Sequence, residues 1–389
     1  MTSPTIGAAV PVMGVVFVSF LVIGIGLPSL PLHVHQDLGF GPGIVGLIAG
    51  SQFCAALVSR LWAGNLADRL GAKRAVELGL ILAVLGGLAY CVSLQSASPV
   101  LAALLLVLAR ALVGAAESLV ITGGIAWGLG LVSAGEKGKA ISWIGMSMFA
   151  AFAFGGPLGG FLYKQFGFWA IALPTLFVPG VVLLWVRGMP KVPPAGNRQR
   201  AALSVLRSVM LPGIAFSLSG VTFGAMVSFV VLYYAAQGWS GEIIAFSVFA
   251  AALILARLVA GGLPDRLGGA RVALVCLMIQ AAGLFIVVLS SGMMLATLGV
   301  ALAGVGFSLV FPGLGLEAMR RAPEEQRGLA MGTYNAFLDL TLGLGSPLLG
   351  AAAHVFGLGA VFTIAGLGAV LAIPLVLRVL RASPGRTCR

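Results

Sequence analysis

Residues 59–71 read SRLWAGNLADRLG, and residues 256–268 read ARLVAGGLPDRLG. Arg60 matches Arg257, Gly64 matches Gly261, Asp68 matches Asp265, Arg69 matches Arg266 and Gly71 matches Gly268. A second pair follows in the same order. GGPLGGFLYKQFG at 155–167 aligns with GSPLLGAAAHVFG at 345–357, keeping Gly155/Gly345, Pro157/Pro347, Gly160/Gly350 and Gly167/Gly357. Two matches spaced by roughly half a chain are the mark of a parallel internal repeat. The copies meet where MPKVPPAGNRQR, residues 189–200, breaks the apolar pattern with prolines and basic residues. The expected organisation is a first unit over 1–187, a linker over 188–208 and a second unit over 209–389.

The sequence around these motifs is overwhelmingly apolar. Charged residues are 9% of the chain, against about 25% in ordinary globular proteins, and the mean hydropathy is +1.09. Apolar stretches recur near the length of about 20 residues that crosses a hydrocarbon core of about 30 Å. In lipid each span must satisfy its own backbone, and runs this long and continuous do so as helices rather than barrel strands. Twelve spans are read, near 10–32, 43–64, 75–94, 99–131, 140–162, 169–187, 209–235, 242–263, 272–290, 294–319, 329–352 and 359–378. The fold class is therefore an all-α membrane protein, twelve transmembrane helices in two pseudo-symmetric six-helix bundles. The first span has no Lys or Arg before it, and Pro28 and Pro31 close a stretch too long for a signal peptide's apolar core. It is expected to stay in the protein.

A net charge of +12 could suggest nucleic acid, but its placement does not. With both termini in the cytoplasm, Arg69, Lys73, Arg74, Arg187, Lys191, Arg266, Arg320, Arg321 and Arg381 all fall on the cytoplasmic side, and the periplasmic loops hold only Lys164. That asymmetry sets orientation in a bacterial inner membrane. No basic patch aimed at DNA is left over. Cys54, Cys91, Cys276 and Cys388 have neither a CxxC nor a metal spacing and read as free thiols.

The segment Gly64-Asn-Leu-Ala-Asp68-Arg69-Leu-Gly71-Ala-Lys73-Arg74 resembles the signature loop of the major facilitator superfamily. The resemblance extends over the whole chain, since the spans, the linker and the second copy at 261–271 agree with it. It implies two six-helix bundles that rock about a central cavity. Independently of it, Gly64 and Gly71 let helix ends approach closely. Asp68 can face the positive end of a neighbouring helix, and Arg69 and Arg74 can pair with carboxylates. Contacts made in one state and broken in the other bias the balance between states. Gly64, Asp68, Arg69, Gly71 and Arg74 are thus candidate gating residues, with Asp265 and Arg266 their counterparts in a copy where Pro264 replaces Ala67. A solvated loop that only sets topology is the plainer alternative.

The fourth span carries Arg110-Ala-Leu-Val-Gly114-Ala-Ala-Glu117, similar to the Arg-and-Gly motif of proton-coupled members of the family. Arg110, Gly114 and Glu117 share a helix face, and an arginine and a carboxylate in an apolar span normally face a bundle interior. A proton site tuned by Arg110 is one reading and a structural ion pair the other. The second half has Val300 opposite Arg110. Asp339, midway along the eleventh span, is the other candidate proton carrier. Gly155-Gly156-Pro157-Leu158-Gly159-Gly160 looks like the Gly-Pro motif of exporters in this family, with one residue between GP and GG where members often have two. Gly156, Pro157, Gly159 and Gly160 are candidates for a bend, and a packing seam is the competing reading. Gln52, Trp143, Tyr334 and Asn335 lie on spans that line the cavity in that family and are candidate substrate contacts. Glu317 is expected to pair with a local basic residue, and Glu242 to belong to a cap with Ser240. His33, His35 and Asp37 form a short string in a periplasmic loop, too few ligands for a metal site to be assigned.

No GxxxxGK[ST], GxSxG or HExxH is present, which argues against an ATP-driven pump, a hydrolase or a zinc enzyme. The expected activity is export of a small organic molecule in exchange for protons, resembling the bacterial drug- and sugar-efflux branch. No cofactor is expected, and the expected partners are the substrate, protons and the bilayer, around a monomer. An importer or uniporter of a small metabolite, or a non-transporting receptor, are the alternatives.

Overall fold

The computed structural model describes residues 6–133, 136–193, 203–239, 242–322 and 327–382, and no strand occurs among them. The helices are α1 (Val10–Leu32), α2 (Pro42–Leu70), α3 (Ala72–Leu94), α4 (Pro99–Leu131), α5 (Lys137–Phe166), α6 (Trp169–Arg187), α7 (Leu203–Ala236), α8 (Glu242–Ala260), α9 (Leu263–Leu267), α10 (Gly269–Leu289), α11 (Met293–Arg321), α12 (Arg327–Phe356) and α13 (Leu358–Arg381). Eleven are long and apolar enough to cross a membrane, while in α8 the apolar stretch is the shorter Ile244–Ala260, at the lower limit of about 17 residues for a span. The chain divides into two compact units, Met1–Arg198 and Gln199–Arg389.

Lipid tails are as apolar as leucine, so little drives one apolar helix onto another except close van der Waals contact between backbones. In the first unit that contact is made by glycine. On α5, Gly155 lies against Gly24 of α1, and Gly159, one turn on, lies against Ile25, where a methyl group would overlap the backbone. Gly79 and Gly86 of α3 face Ala116 and Ala109 of α4 in the same way, and Gly123 of α4 faces Ala72. α6 sits outermost: 33% of its apolar window is buried, against 61% for α1. Its Phe177 and Leu184 are 63% and 65% exposed, as lipid-facing side chains are.

The second unit solves the same problem differently. Gly283 of α10 and Gly299 of α11 lie backbone to backbone, but along α7 the glycines receive side chains. Gly213 takes the ring of Phe337, and Gly220 and Gly224 take Leu338, Thr341 and Leu342, all from α12. Gln280 of α10 is fully buried. It donates to the Ser219 carbonyl at 2.9 Å and to Thr222 Oγ1 at 2.5 Å, and accepts from Ser219 Oγ at 2.8 Å. A side-chain amide with these partners is a satisfied interhelical bond.

The two signature loops share a backbone and differ in the helix that leads into them. Gly71 and Gly268 both have φ +94, a left-handed conformation that favours glycine, at the turn into the next helix. Before it, α2 runs unbroken to Leu70, whereas α8 stops at Ala260 and the short α9 begins at Leu263. The cause is local: Gly261-Gly262 breaks the helix, and Pro264 in the first turn restarts it. The eighth span is therefore shorter than the 242–263 expected from the sequence.

Lys73, expected on the cytoplasmic side at the signature loop, is 5% exposed. Its Nζ donates to the carbonyls of Arg187 and Met189 at 2.8 and 2.7 Å, satisfying acceptors that the end of α6 leaves open and placing a cation at its negative pole. Trp127 Nε1 donates to Pro190 O at 3.1 Å, and Val192 packs against Gly130. The first residues of the expected linker are thus docked on the first unit. Residues 194–202 of the linker, Cys388, and Ser240 of the expected cap lie outside the described residues.

Gly159→Ala is expected to cost about 1–3 kcal/mol by overpacking against α1, visible as a lower thermal midpoint of the purified protein in detergent. Gly145→Ala, on the same helix with nothing within 4 Å of the added methyl, is expected to leave the midpoint unchanged.

Candidate proton-coupling site

Gly114 is the residue that builds the polar site of the first unit. A methyl there would overlap the carbonyl oxygen of Gln52 on α2, so only glycine admits this approach. With the helices this close, Gln52 Nε2 donates to Glu117 Oε2 at 2.7 Å. Gln52 is fully buried and Glu117 is 8% exposed. Arg110, 2% exposed, lies seven residues before Glu117, about 10 Å along the helix axis, and its Nη1 donates to the Tyr90 hydroxyl on α3 at 3.5 Å. Its Nε has no hydrogen-bond partner among the described residues. The motif thus places both charges on one face but sends them to different helices, the carboxylate to α2 and the guanidinium toward α3.

Behind Glu117, α1, α3, α4 and α6 leave a cavity of about 20 Å³, lined by Ile23, Leu80, Ala83, Val113 and Pro179 among others. That is room for about one water, but the walls are almost wholly apolar, and such cavities stay dry. The hydroxyls of Ser19 and Thr175, which reach its edge, donate back to Val15 O and Ile171 O of their own helices. In the second unit the residue matching Ala83 in the repeat is Gln280, a long side chain bonded to Ser219 and Thr222.

The second unit has the same helix contact without the polar groups. Gly304 of α11, the counterpart of Gly114, abuts the carbonyl of Phe249 on α8, the counterpart of Gln52. Phe307 stands where Glu117 does and Val300 where Arg110 does. The rings gather into a cluster: Phe223 lies 5.7 Å from Phe307 and 6.2 Å from Phe249, and Phe216 lies 5.0 Å from Tyr334. Tyr334, fully buried, is a member of this cluster, and its hydroxyl donates to Phe311 O at 3.1 Å. Asp339 is 5% exposed on α12, with Asn335 half-buried one turn before it. The structure does not bring Asp339 to Glu117 within one unit: each carboxylate belongs to its own half.

The remaining candidates are spread more widely. Trp143 on α5 is 54% exposed, unlike the buried Gln52 and Tyr334, whose Nε2 and hydroxyl are bonded inside their own units. Asp68 and Gly64 are half-buried near the end of α2, Arg69 and Arg74 are exposed around Gly71, and Asp265 and Arg266 are exposed on α9. In the α5 motif, Gly159 faces α1, Gly156 and Gly160 are buried, and Pro157 lies inside a continuous helix. Glu317 pairs with Arg320 at 3.3 Å.

His33–Asp37, expected as a loop, forms a π-helical turn that prolongs α1. His33 Nδ1 and Asp37 Oδ2 are 2.7 Å apart, Tyr163 Oη donates to the same oxygen at 2.9 Å, and the His33 ring stacks on Phe168 at 4.2 Å. His35 instead meets Phe40 O at 2.8 Å. The two histidines therefore serve different partners. Neither Tyr90 nor Arg257 is among the site residues expected from the sequence. Arg257 carried a signal, its match to Arg60 in the repeat, whereas nothing marked a tyrosine amid an apolar span.

The sequence profile of the Major Facilitator Superfamily matches residues 12–340 and 243–387. The chain is 37% identical over 369 residues to the uncharacterized MFS-type transporter YhhS of Escherichia coli K12, covering 95% of this chain and 91% of that one. It is 38% identical over 376 residues to an uncharacterized MFS-type transporter of Pseudomonas aeruginosa UCBPP-PA14, covering 95% and 92%. Among solved structures, the D-xylose–proton symporter superposes with a TM-score of 0.77 at 14% identity, covering 96% and 98% of the two chains. The nucleoside transporter NupG does so with 0.70 at 14%, covering 96% and 98%. The chain is a multi-pass membrane transporter and not an enzyme, and it belongs to the major facilitator superfamily.

Proposed function

We propose that this transporter exports a small organic molecule from the cytoplasm in exchange for protons, by alternating access. The observation that carries the reading is the buried Arg110–Gln52–Glu117 group, present in one unit and replaced by Val300, Phe249 and Phe307 in the other. If the group served packing alone, the same helix contact would need it in both halves, yet Gly304 packs on Phe249 without it. An ionisable pair kept in an apolar interior at this cost marks a functional site. Glu117 carries the proton. Gln52 holds the ionised carboxylate, and Arg110, with a donor to spare, stabilises that form when the proton leaves.

Asp339 is the second proton carrier, in the unit that has no other buried carboxylate midway along a span among the described residues. Asp68, Arg69 and Arg74, turned by Gly71, form the gate of the first unit, with Asp265 and Arg266 the weaker copy on a broken helix. Export is favoured by the α1–α5 glycine seam, where the motif resembling that of exporters sits. The charge asymmetry favours the inner membrane with both termini in the cytoplasm, and the site is complete in a single chain.

In inside-out vesicles holding a preset pH gradient, a panel of drugs, sugars and small metabolites is expected to contain a compound that dissipates the gradient. Glu117→Gln and Asp339→Asn should each abolish that signal while the protein remains folded. A compound that still dissipates it with both variants discards these proton carriers, and no response over a wide panel discards proton-coupled export. Asp68→Asn is expected to slow transport about tenfold, the effect of about 1.4 kcal/mol on the balance between states, at unchanged expression. Unchanged transport would remove Asp68 from the gate.

A further inference from the structure

α11 contains a proline nine residues before its end, and two other helices reach over to it. Pro312 has no amide N–H, so the carbonyl of Ser308, four residues earlier, loses its partner within the helix. Arg257 of α8 supplies one: its Nη2 donates to Ser308 O at 2.7 Å. The Ser308 hydroxyl in turn donates to Leu253 O of α8 at 2.6 Å, doubling the tie between the same two helices. On the other side, Tyr334 of α12 donates to Phe311 O at 3.1 Å, the carbonyl next to the proline. Immediately beyond it, Gly313 lies backbone to backbone with Gly269, the residue that follows the second signature loop.

The first unit lacks this arrangement. The residue matching Ser308 is Ser118 and the one matching Pro312 is Thr122, which keeps its N–H, so α4 has no deleted bond for Arg60 to replace. The arginine repeats, whereas the proline that gives it a carbonyl to hold is peculiar to the second unit. A guanidinium held inside an apolar bundle is costly unless it finds a partner. Here the cost is met by an acceptor that would otherwise be a buried, unpaired carbonyl.

We propose that Arg257 is a positioning residue of the transport cycle, a latch that holds α11 across the hydrogen bond Pro312 deletes. The piece of α11 beyond the proline, with Glu317, Arg320 and Arg321, is then a hinged segment. Arg257 lies one turn before the second signature loop and Gly269 directly after it, so a shift of that loop pulls on both sides of the hinge. Loop and hinge are therefore one device, and its state is set by whether the guanidinium keeps the Ser308 carbonyl. This rests on the chain being a transporter and is independent of the direction or coupling of transport.

Hydrogen–deuterium exchange of the full-length protein in lipid nanodiscs tests it without any substrate. Arg257→Met is expected to speed exchange of the amides of 313–318 about tenfold, the loss of one charge-assisted bond, while 272–288 of α10 stay unchanged. Pro312→Ala restores the helical N–H, so in that background Arg257→Met should have no effect on 313–318. Unchanged exchange in the single variant, a rise spread evenly over the second unit, or an equal rise in the Pro312→Ala background would each overturn the latch. Should Arg257→Met not fold, Arg257→Lys carries the same comparison. Its single ammonium nitrogen, without the planar fork of a guanidinium, should leave exchange about threefold faster in the wild-type background and unchanged in the Pro312→Ala background, and equal rates in the two overturn the proposal.

Discussion

The structure depends on how closely two helix backbones can lie when no water drives them together. Hydrophobic burial, which dominates in soluble proteins, gives little between helices already immersed in hydrocarbon, so contact distance decides which helices associate. Gly114 against Gln52 is where that constraint meets chemistry. The approach brings a side-chain amide within 2.7 Å of a buried carboxylate. The corresponding approach, Gly304 against Phe249, is kept in the second unit and surrounded by rings. One geometry thus serves as a polar site in one half and as an apolar anchor in the other.

That division explains why the units are so alike in backbone and so unlike in content. Gly71 and Gly268 share a φ of +94, yet one follows an unbroken helix and the other a helix broken and restarted within a few residues. Lys73 caps α6 in the first unit, whereas in the second a bonded Gln280 stands at the position of Ala83, which lines the first unit's cavity. A repeat fixes where helices cross. It leaves free which side chains occupy the crossings, and the chemistry of the transporter resides in that freedom.

Most of the fold could be read from the chain, because hydropathy and length alone specify where helices enter and leave a bilayer. The expected span at 10–32 is α1, and that at 169–187 is α6. The eighth span failed at its end, since Gly261-Gly262 is apolar by hydropathy and breaks a helix by backbone entropy, a property that a hydropathy window does not weigh. Of the site, the Arg110–Gly114–Glu117 spacing was legible as a shared face. The partners were not. A helical period says which way a side chain points but not what stands opposite, so Gln52 was noticed for its polarity rather than as the donor to Glu117, and Tyr90 passed unremarked. His33–Asp37 has the look of a loop, polar residues after two prolines, although the helix absorbs them in a wider turn.

The reach of Arg257 to Ser308 has a consequence for how the chain is made. α8 is short and carries its arginine near the end, which makes it a weak candidate to enter the bilayer alone, since a guanidinium drawn into lipid without a partner is costly. The carbonyl that compensates lies 51 residues later in the chain. At about 5–20 residues per second the ribosome takes about 3–10 s to deliver it. For that interval the guanidinium must wait at the headgroup level, drawn out by its own hydration. The eighth segment therefore completes its descent only when α11 arrives, and biogenesis of the second half ends in a cooperative step that the first half, with Thr122 of α4 where α11 has Pro312, does not require.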